Sequence, residues 1–173
     1  MPAISLWKAT AFIRLFGIFK VPLIWHVRPK VLEINENRVV IKIPLRWRTK
    51  NHLNSMYFGS LAIGADIAGG MLAMLMLREL GAAGADVSFV FKDISGQFLK
   101  RPESDVHFTC NDGPAIKDLV NRAVHSTERH NLPVTIIATC PKKSGTEAVA
   151  KFTLTLSLKK KSEQLSRAPQ ASP

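Results

Sequence analysis

Tyr57-Phe58-Gly59-Ser60-Leu61-Ala62-Ile63-Gly64-Ala65-Asp66-Ile67-Ala68-Gly69-Gly70-Met71-Leu72-Ala73-Met74-Leu75-Met76-Leu77 carries a single formal charge, at Asp66. Alanine, leucine and methionine favour helix, and the run is apolar nearly all round. It therefore reads as a helix enclosed by a curved sheet, where a surface helix would show one polar face. Gly59, Gly64, Gly69 and Gly70 each cost roughly 1 kcal/mol of helix propensity, but they let a strand or a ligand approach the backbone closely. A carboxylate with so few polar neighbours needs a hydrogen-bonding partner, a raised pKa or a wet cleft. Perturbed acids of this kind concentrate at functional sites, and a structural carboxylate bonded to a facing strand or a partner chain is the competing reading. The run is long enough to cross a bilayer, but the central acid, the glycines and the amphipathic strands that follow favour a protein core.

Outward from this helix the periodicities alternate. Toward the N-terminus, residues 4–20 fit a short helix ended by the Val21-Pro22 step, because proline disfavours helical geometry in its predecessor. Val31–Ile34 and Arg38–Ile43 read as two strands joined through Asn35-Glu36-Asn37. A polar stretch from Arg46 to Ser55 leads into the central helix, with Asn54 or Ser55 as its cap. Toward the C-terminus, Gly81-Ala82-Ala83-Gly84 closes the helix and Val87–Lys92 forms a third strand, broken at Ser95-Gly96. A fourth strand covers Asp105–Cys110. Asp112-Gly113-Pro114 starts another helix, with Asp112 as cap, an apolar stripe through Ile116, Leu119, Val120, Ala123 and Val124, and an end at Pro133. Val134–Cys140 and Phe152–Leu158 are the last two strands. Pairs of strands interrupted by helices predict an α+β fold with a largely antiparallel sheet.

With 173 residues, 46% hydrophobic and 21% charged, one compact domain is expected over residues 23–160. Residues 1–22 form an N-terminal helix packed on it, and 161–173 a disordered basic tail. The formal net charge of +11 favours anionic partners, and residues 159–173 hold +3 of it. No aromatic-interleaved basic stripe or nucleic-acid module accompanies that charge, so no specific nucleic-acid partner is expected. Leu6–Phe19 is interrupted by Lys8 and Arg14, which suits a helix packed on the domain or lying on a membrane surface better than a secretion signal. Of these, peripheral membrane contact ranks lower. Cys110 and Cys140 have no metal-ligand spacing and read as reduced thiols in a cytoplasmic protein. His52 is a loop histidine, His125 and His130 share no helical face, and no metal set forms around them.

Asn51-His52-Leu53-Asn54-Ser55-Met56-Tyr57-Phe58-Gly59, followed by Leu61-Ala62-Ile63-Gly64-Ala65-Asp66, resembles the opening of the central helix in hotdog-fold acyl-CoA thioesterases. The likeness is greatest to a bacterial branch close to the phenylacetate-pathway enzymes. With the order of elements it covers about residues 25–158. It implies a hotdog fold: a curved antiparallel sheet wrapped around a long central helix, here with an extra N-terminal helix and another helix between strands 4 and 5. It also implies Asp66 as general base or nucleophile, Asn51 positioning water or substrate, and the backbone amides of Phe58 and Gly59 polarising the thioester carbonyl. Sites of that family lie between two protomers, so a homodimer is implied, with a dimer of dimers as a larger option. Coenzyme A enters as part of the substrate and no separate cofactor or metal is called for. Tyr57 and Phe58 stand where the family has histidine and its first glycine, which makes the Tyr57 hydroxyl the substitute donor. Ser95 would line the site from the partner chain. Lys100 and Arg101, with Arg46, Arg48 and Lys50, would meet the phosphates of coenzyme A, unless they are simply a solvated face. Met71, Met74 and Met76 are core filler or the lining of an acyl tunnel. A non-catalytic acyl binder on the same fold is the alternative function.

Overall fold

A computed structural model describes residues 5–161. The tail expected beyond Lys161 lies outside the described residues. The elements run α1 (Leu6–Phe19), α2 (Pro22–His26), β1 (Lys30–Ile34), β2 (Val39–Ile43), α3 (Phe58–Glu79), α4 (Ala82–Ala85), β3 (Val87–Phe98), β4 (Val106–Cys110), α5 (Gly113–His125), β5 (Arg129–Thr139), α6 (Pro141–Ser144) and β6 (Ala148–Lys160). The strands form one sheet in the order β1-β2-β4-β5-β6-β3, antiparallel at every pairing.

This is the hotdog arrangement. The sheet curls around α3, whose side chains from Leu61 to Leu77 are mostly buried. Length and apolarity alone would let α3 span a bilayer, but it is the core of the domain. The inward faces of the strands meet it with Val39, Ile41 and Ile43 of β2, Phe108 of β4, Ile136 of β5 and Leu154, Leu156 and Leu158 of β6. Gly64 shows what the helix glycines do: a Cβ there would fall 2.4 Å from the ring of the fully buried Phe108. The methionines divide as core filler would, with Met71 and Met76 buried and Met74 partly so.

Helix α1 ends at Phe19, just before the Val21-Pro22 step expected to stop it, and Pro22 then opens α2 at its first position, where a missing N–H costs nothing. Three local expectations are corrected. Strand β3 does not break at Ser95-Gly96, which pair with Thr153 and Phe152, and its irregularity lies between Phe91 and Ile94. Glycine suits that place because a Cβ on Gly96 would meet the Phe152 ring at 2.8 Å. Pro133 does not end α5, which stops at His125, but sits inside β5 opposite Thr155. Pairing of β5 with β4 begins only at Ile136, and the Thr135 N–H beside it turns away from β6 to Asp112 Oδ2 at 2.7 Å. Pro133, two residues earlier, turns its nitrogen to the same open side, so no ladder bond is lost. Finally, neither long helix has the expected side-chain cap. Tyr57, not Asn54 or Ser55, is the N-cap residue of α3, and Asp112 spends its carboxylate on Thr135 rather than on α5.

Helix α1 packs through Ala9, Ile13 and Gly17, one turn apart. The Thr10 hydroxyl accepts the Val31 N–H at 3.0 Å, and Arg14 Nε donates to the Pro29 carbonyl at 3.0 Å. The N-terminal segment is thereby fixed to the edge of the sheet at β1. At the other edge, no described strand pairs with the outer side of β3.

Candidate functional site

Asp66 projects from the middle of α3 into an open apolar groove of about 460 Å³. One wall is Phe91 to Ile94 of β3 with Leu154 of β6, and the other is Val21, Leu23 and Ile24 of the α1–α2 corner. The carboxyl is partly buried and makes no hydrogen bond or ion pair among the described residues. Burial without compensation raises its pKa from 3.8 to about 6. It is therefore half in each protonation state just below neutral pH. The β3 irregularity between Phe91 and Ile94 falls at this wall, where a bulge re-aims side chains. Asp93 there accepts the Thr155 hydroxyl at 2.7 Å. Among the described residues no bond ties the Asp66 carboxylate to a facing strand.

A second groove, of about 540 Å³, lies at the N-terminus of α3. Asn51, Tyr57, Phe58, Lys100 and Arg101 line it with His52 and Phe98. The N–H groups of Phe58, Gly59 and Ser60 make no hydrogen bond among the described residues, because the first intrahelical bond runs from Leu61 N–H to the Tyr57 carbonyl. Those amides carry the positive end of the helix dipole. The opening is held in place by Thr49, whose hydroxyl donates to the Pro44 carbonyl and whose carbonyl accepts the Tyr57 N–H. Asn51 Oδ1 accepts the N–H groups of Leu53 and Ser55 and the Ser55 hydroxyl, leaving only its amide nitrogen for another partner. The exposed Tyr57 ring folds back over Gly59, where a Cβ would fall 2.7 Å from it, so this glycine makes room for the tyrosine. Lys100 and Arg101 pair with Glu147 and Glu103, exposed contacts of little strength.

The residues expected in one site are thus divided. Asn51, Tyr57, Phe58, Lys100 and Arg101 share the second groove, Asp66 lines the first, and Ser95 lies exposed on β3 and lines neither. Gly59 and Asp66 are seven residues apart on one helix, a rise of about 10 Å. Arg46 and Arg48 line a different groove, beside Arg14. Among the described residues no cluster of three His, Cys, Asp or Glu is placed to hold a metal ion, and both cysteines are buried free thiols. Burial pushes the Cys110 thiol up to about 11, which leaves it inert. Sequence reasoning missed Leu23 and Ile24 as walls of the Asp66 groove. Proline at a helix's first position was the available signal.

Residues 9–158 match a family described as a domain of unknown function, DUF4442. The chain belongs to that family. No curated protein matches it. Solved structures similar to this DUF4442 domain include a protein of unknown function from Chlorobaculum tepidum, with a TM-score of 0.75 and 12% identity over 92% of this chain and 99% of that one. Thioesterase HI1161 from Haemophilus influenzae is similar with a TM-score of 0.64 and 17% identity, over 91% and 92% of the two chains. Zebrafish thioesterase superfamily member 2 is similar with a TM-score of 0.61 and 13% identity, over 92% and 100%. At such identities the likeness shows the fold, which is that of hotdog thioesterases.

Proposed function

We propose that this protein is a cytoplasmic acyl-CoA thioesterase in which Asp66 is the general base, working in a homodimer, and that it stands near the phenylacetate-pathway branch of the hotdog enzymes. One observation carries the reading: a carboxyl without a partner, raised to about 6, opens into an apolar groove on the central helix of a thioesterase-type fold. A base with a pKa near working pH is well suited to take a proton from water. The hydroxide formed adds to the thioester carbonyl carbon, and the amides of Phe58 and Gly59 receive the oxygen that becomes negative. The carbon–sulfur bond then breaks, and the coenzyme A sulfur leaves with the proton held by Asp66. The acyl chain lies in the apolar groove, while Lys100 and Arg101 face the nucleotide end.

The two halves of this machinery lie about 10 Å apart along one helix and line different grooves. They meet one acyl carbon if the substrate lies along the helix or if two copies compose the site. Strand β3, twelve residues long with Ile94 and Phe98 more than half exposed, has no described partner on its outer edge. An unprotected edge of that length invites a second strand. If two copies pair antiparallel about an axis near Ser95-Gly96, Phe98–Arg101 of one copy lies beside Phe91–Ile94 of the other. The amide groove of one copy then adjoins the Asp66 groove of its neighbour. Purified protein should release free thiol from members of an acyl-CoA panel, and Asp66→Asn should abolish the release while the dimer remains folded. Full activity in that variant would refute the assignment.

A second reading, acyl binding without turnover, is favoured by one feature. Among the described residues no histidine lines the Asp66 groove, and Tyr57, which stands where the thioesterases it resembles have histidine, has a hydroxyl that makes no hydrogen bond there. Stabilisation by acyl-CoA with no thiol released from any of the panel would select it.

A further inference from the structure

Helix α1 is apolar on the side that faces away from the domain. On a helical wheel Trp7, Ala11, Leu15, Ile18 and Phe19 fall within an arc of about 120°, opposite the buried Ala9, Ile13 and Gly17. Trp7 is 69% and Phe19 75% exposed, and Leu23 of α2 extends the patch at 62%. A surface helix that turns so much apolar area outward marks an interaction face.

The charges that this N-terminal segment carries are all of one sign. From Ser5 to Leu32 the chain has Lys8, Arg14, Lys20, Arg28 and Lys30 and not one acidic residue. Arg14 and Arg78 flank the apolar arc on opposite sides, Arg78 with its guanidinium 4.9 Å from the Phe12 ring. Beyond Arg14 lies a groove of about 340 Å³ that also receives His26, Arg28, Arg46 and Arg48. At its rim Trp47 is 73% exposed with Arg48 stacked 5.1 Å from its ring.

We propose that α1, α2 and the 46–48 loop form one docking surface for an anionic lipid bilayer. Exposed aliphatic and aromatic side chains on a helix lying in the interface plane, tryptophan at its margin and basic residues around it match what that boundary asks for. Lys8 sits on the apolar face itself, where its stem lies along the hydrocarbon while its ammonium reaches the headgroups. Both components are needed: the charge surplus gives affinity for anionic headgroups, and the side chains of α1 give depth. A second copy of the chain is a poorer occupant, because two such faces would bring like charges together, and β3, whose Lys92 and Asp93 cancel, offers a copy an edge without net charge. Leu23 belongs to both this surface and the wall of the Asp66 groove, so docking sets the groove mouth beside the lipid. The surface stands whether or not Asp66 hydrolyses a thioester.

Sedimentation of the full chain with vesicles tests it, using phosphatidylcholine alone and phosphatidylcholine mixed with phosphatidylglycerol. The protein should sediment with the mixed vesicles only, its tryptophan emission should shift to the blue, and added salt should weaken the binding. Leu15→Ser with Phe19→Ser removes exposed apolar area and should lower the partition coefficient at least about tenfold with an unchanged melting temperature. Lys20→Gln with Arg48→Gln should lower it about thirty-fold. No preference for anionic vesicles at low salt, or wild-type binding by both double variants, would overturn the proposal. So would a change of oligomeric state in the apolar variant without a change in vesicle binding, which would make the face a contact between copies.

Discussion

Asp66 is an acid whose folded pKa, about 6, lies above its ordinary 3.8, and burial is the cause. The folded protein therefore holds that proton more tightly than the unfolded chain does. Its stabilising effect is complete below about 3.8 and is lost as pH rises through about 6, so at pH 8 the ionised carboxylate costs on the order of 3 kcal/mol. Asparagine resembles the protonated form and cannot ionise. Asp66→Asn should accordingly raise the melting temperature at pH 8, and the gain should vanish near pH 4. Thermal unfolding across that range measures it, and a variant less stable than wild type at pH 8 would show an ion pair that the fold lacks. The same titration governs the proposed chemistry: thiol release should rise with pH to half its plateau near 6, and Asp66→Asn should lose about a hundredfold to ten-thousandfold. Asn51 separates differently. Its carbonyl oxygen holds the loop and its amide nitrogen has no bond among the described residues, so Asn51→Asp keeps the acceptor and removes the donor. If Asn51 acts on substrate, that variant should retain its melting temperature and lose activity. If its task is the loop alone, Asn51→Asp should be unchanged in both, and Asn51→Ala should lose stability by about 1–2 kcal/mol.

At the scale of the elements, α3 was legible because its composition states its surroundings: an all-apolar helix with glycines must be enclosed. The glycines are unequal in a way that no spacing reveals. Gly64 abuts the ring of Phe108, which is packed on all sides, whereas Gly69 faces the terminal methyl of Ile136 at 3.3 Å. Gly64→Ala should destabilise by about 1–3 kcal/mol, because the ring has nowhere to go. Gly69→Ala should be near neutral, since a small methyl shift offsets a helix-propensity gain of about 1 kcal/mol. Chemical denaturation of the two variants checks the contrast. Elements whose form depends on a neighbour were misread for a related reason. Pro133 appears a breaker until β4 is seen to stop short of it, and Gly96 appears a break until Phe152 lies beside it, whereas Pro22 both follows the end of α1 and opens α2. Punctuation residues have two grammars, and only tertiary context selects between them.

Across the whole molecule, the sequence placed Asp66 and the amides of Phe58 and Gly59 on one helix but could not show that Asp66 and Phe58 line different grooves. Helical rise separates them by about 10 Å, and groove membership depends on β3, which comes from later in the chain. That separation is the reason for expecting composite sites, and it yields a test that needs no knowledge of the interface. Phe58 is the first residue of α3 and is preceded by Tyr57 in extended geometry, with φ −64° and ψ 140°. Proline is compatible with such a place, so Phe58→Pro deletes one N–H while keeping the helix. Losing one such donor should cost about a hundredfold to a thousandfold in turnover. Asp66→Asn and Phe58→Pro should each be nearly inactive alone. In a dimer with sites shared between copies, a mixed pair holds one site with both defects and one with neither. Random pairing of equal amounts, by co-expression or joint refolding, should therefore restore about a quarter of the wild-type sites. Sites built within one chain would gain nothing from mixing, since every site would still contain one of the two defects. A mixture no more active than its components, in a sample shown by light scattering to be dimeric and exchanged, would place the acid and the amides of each site in one chain and sink the composite site.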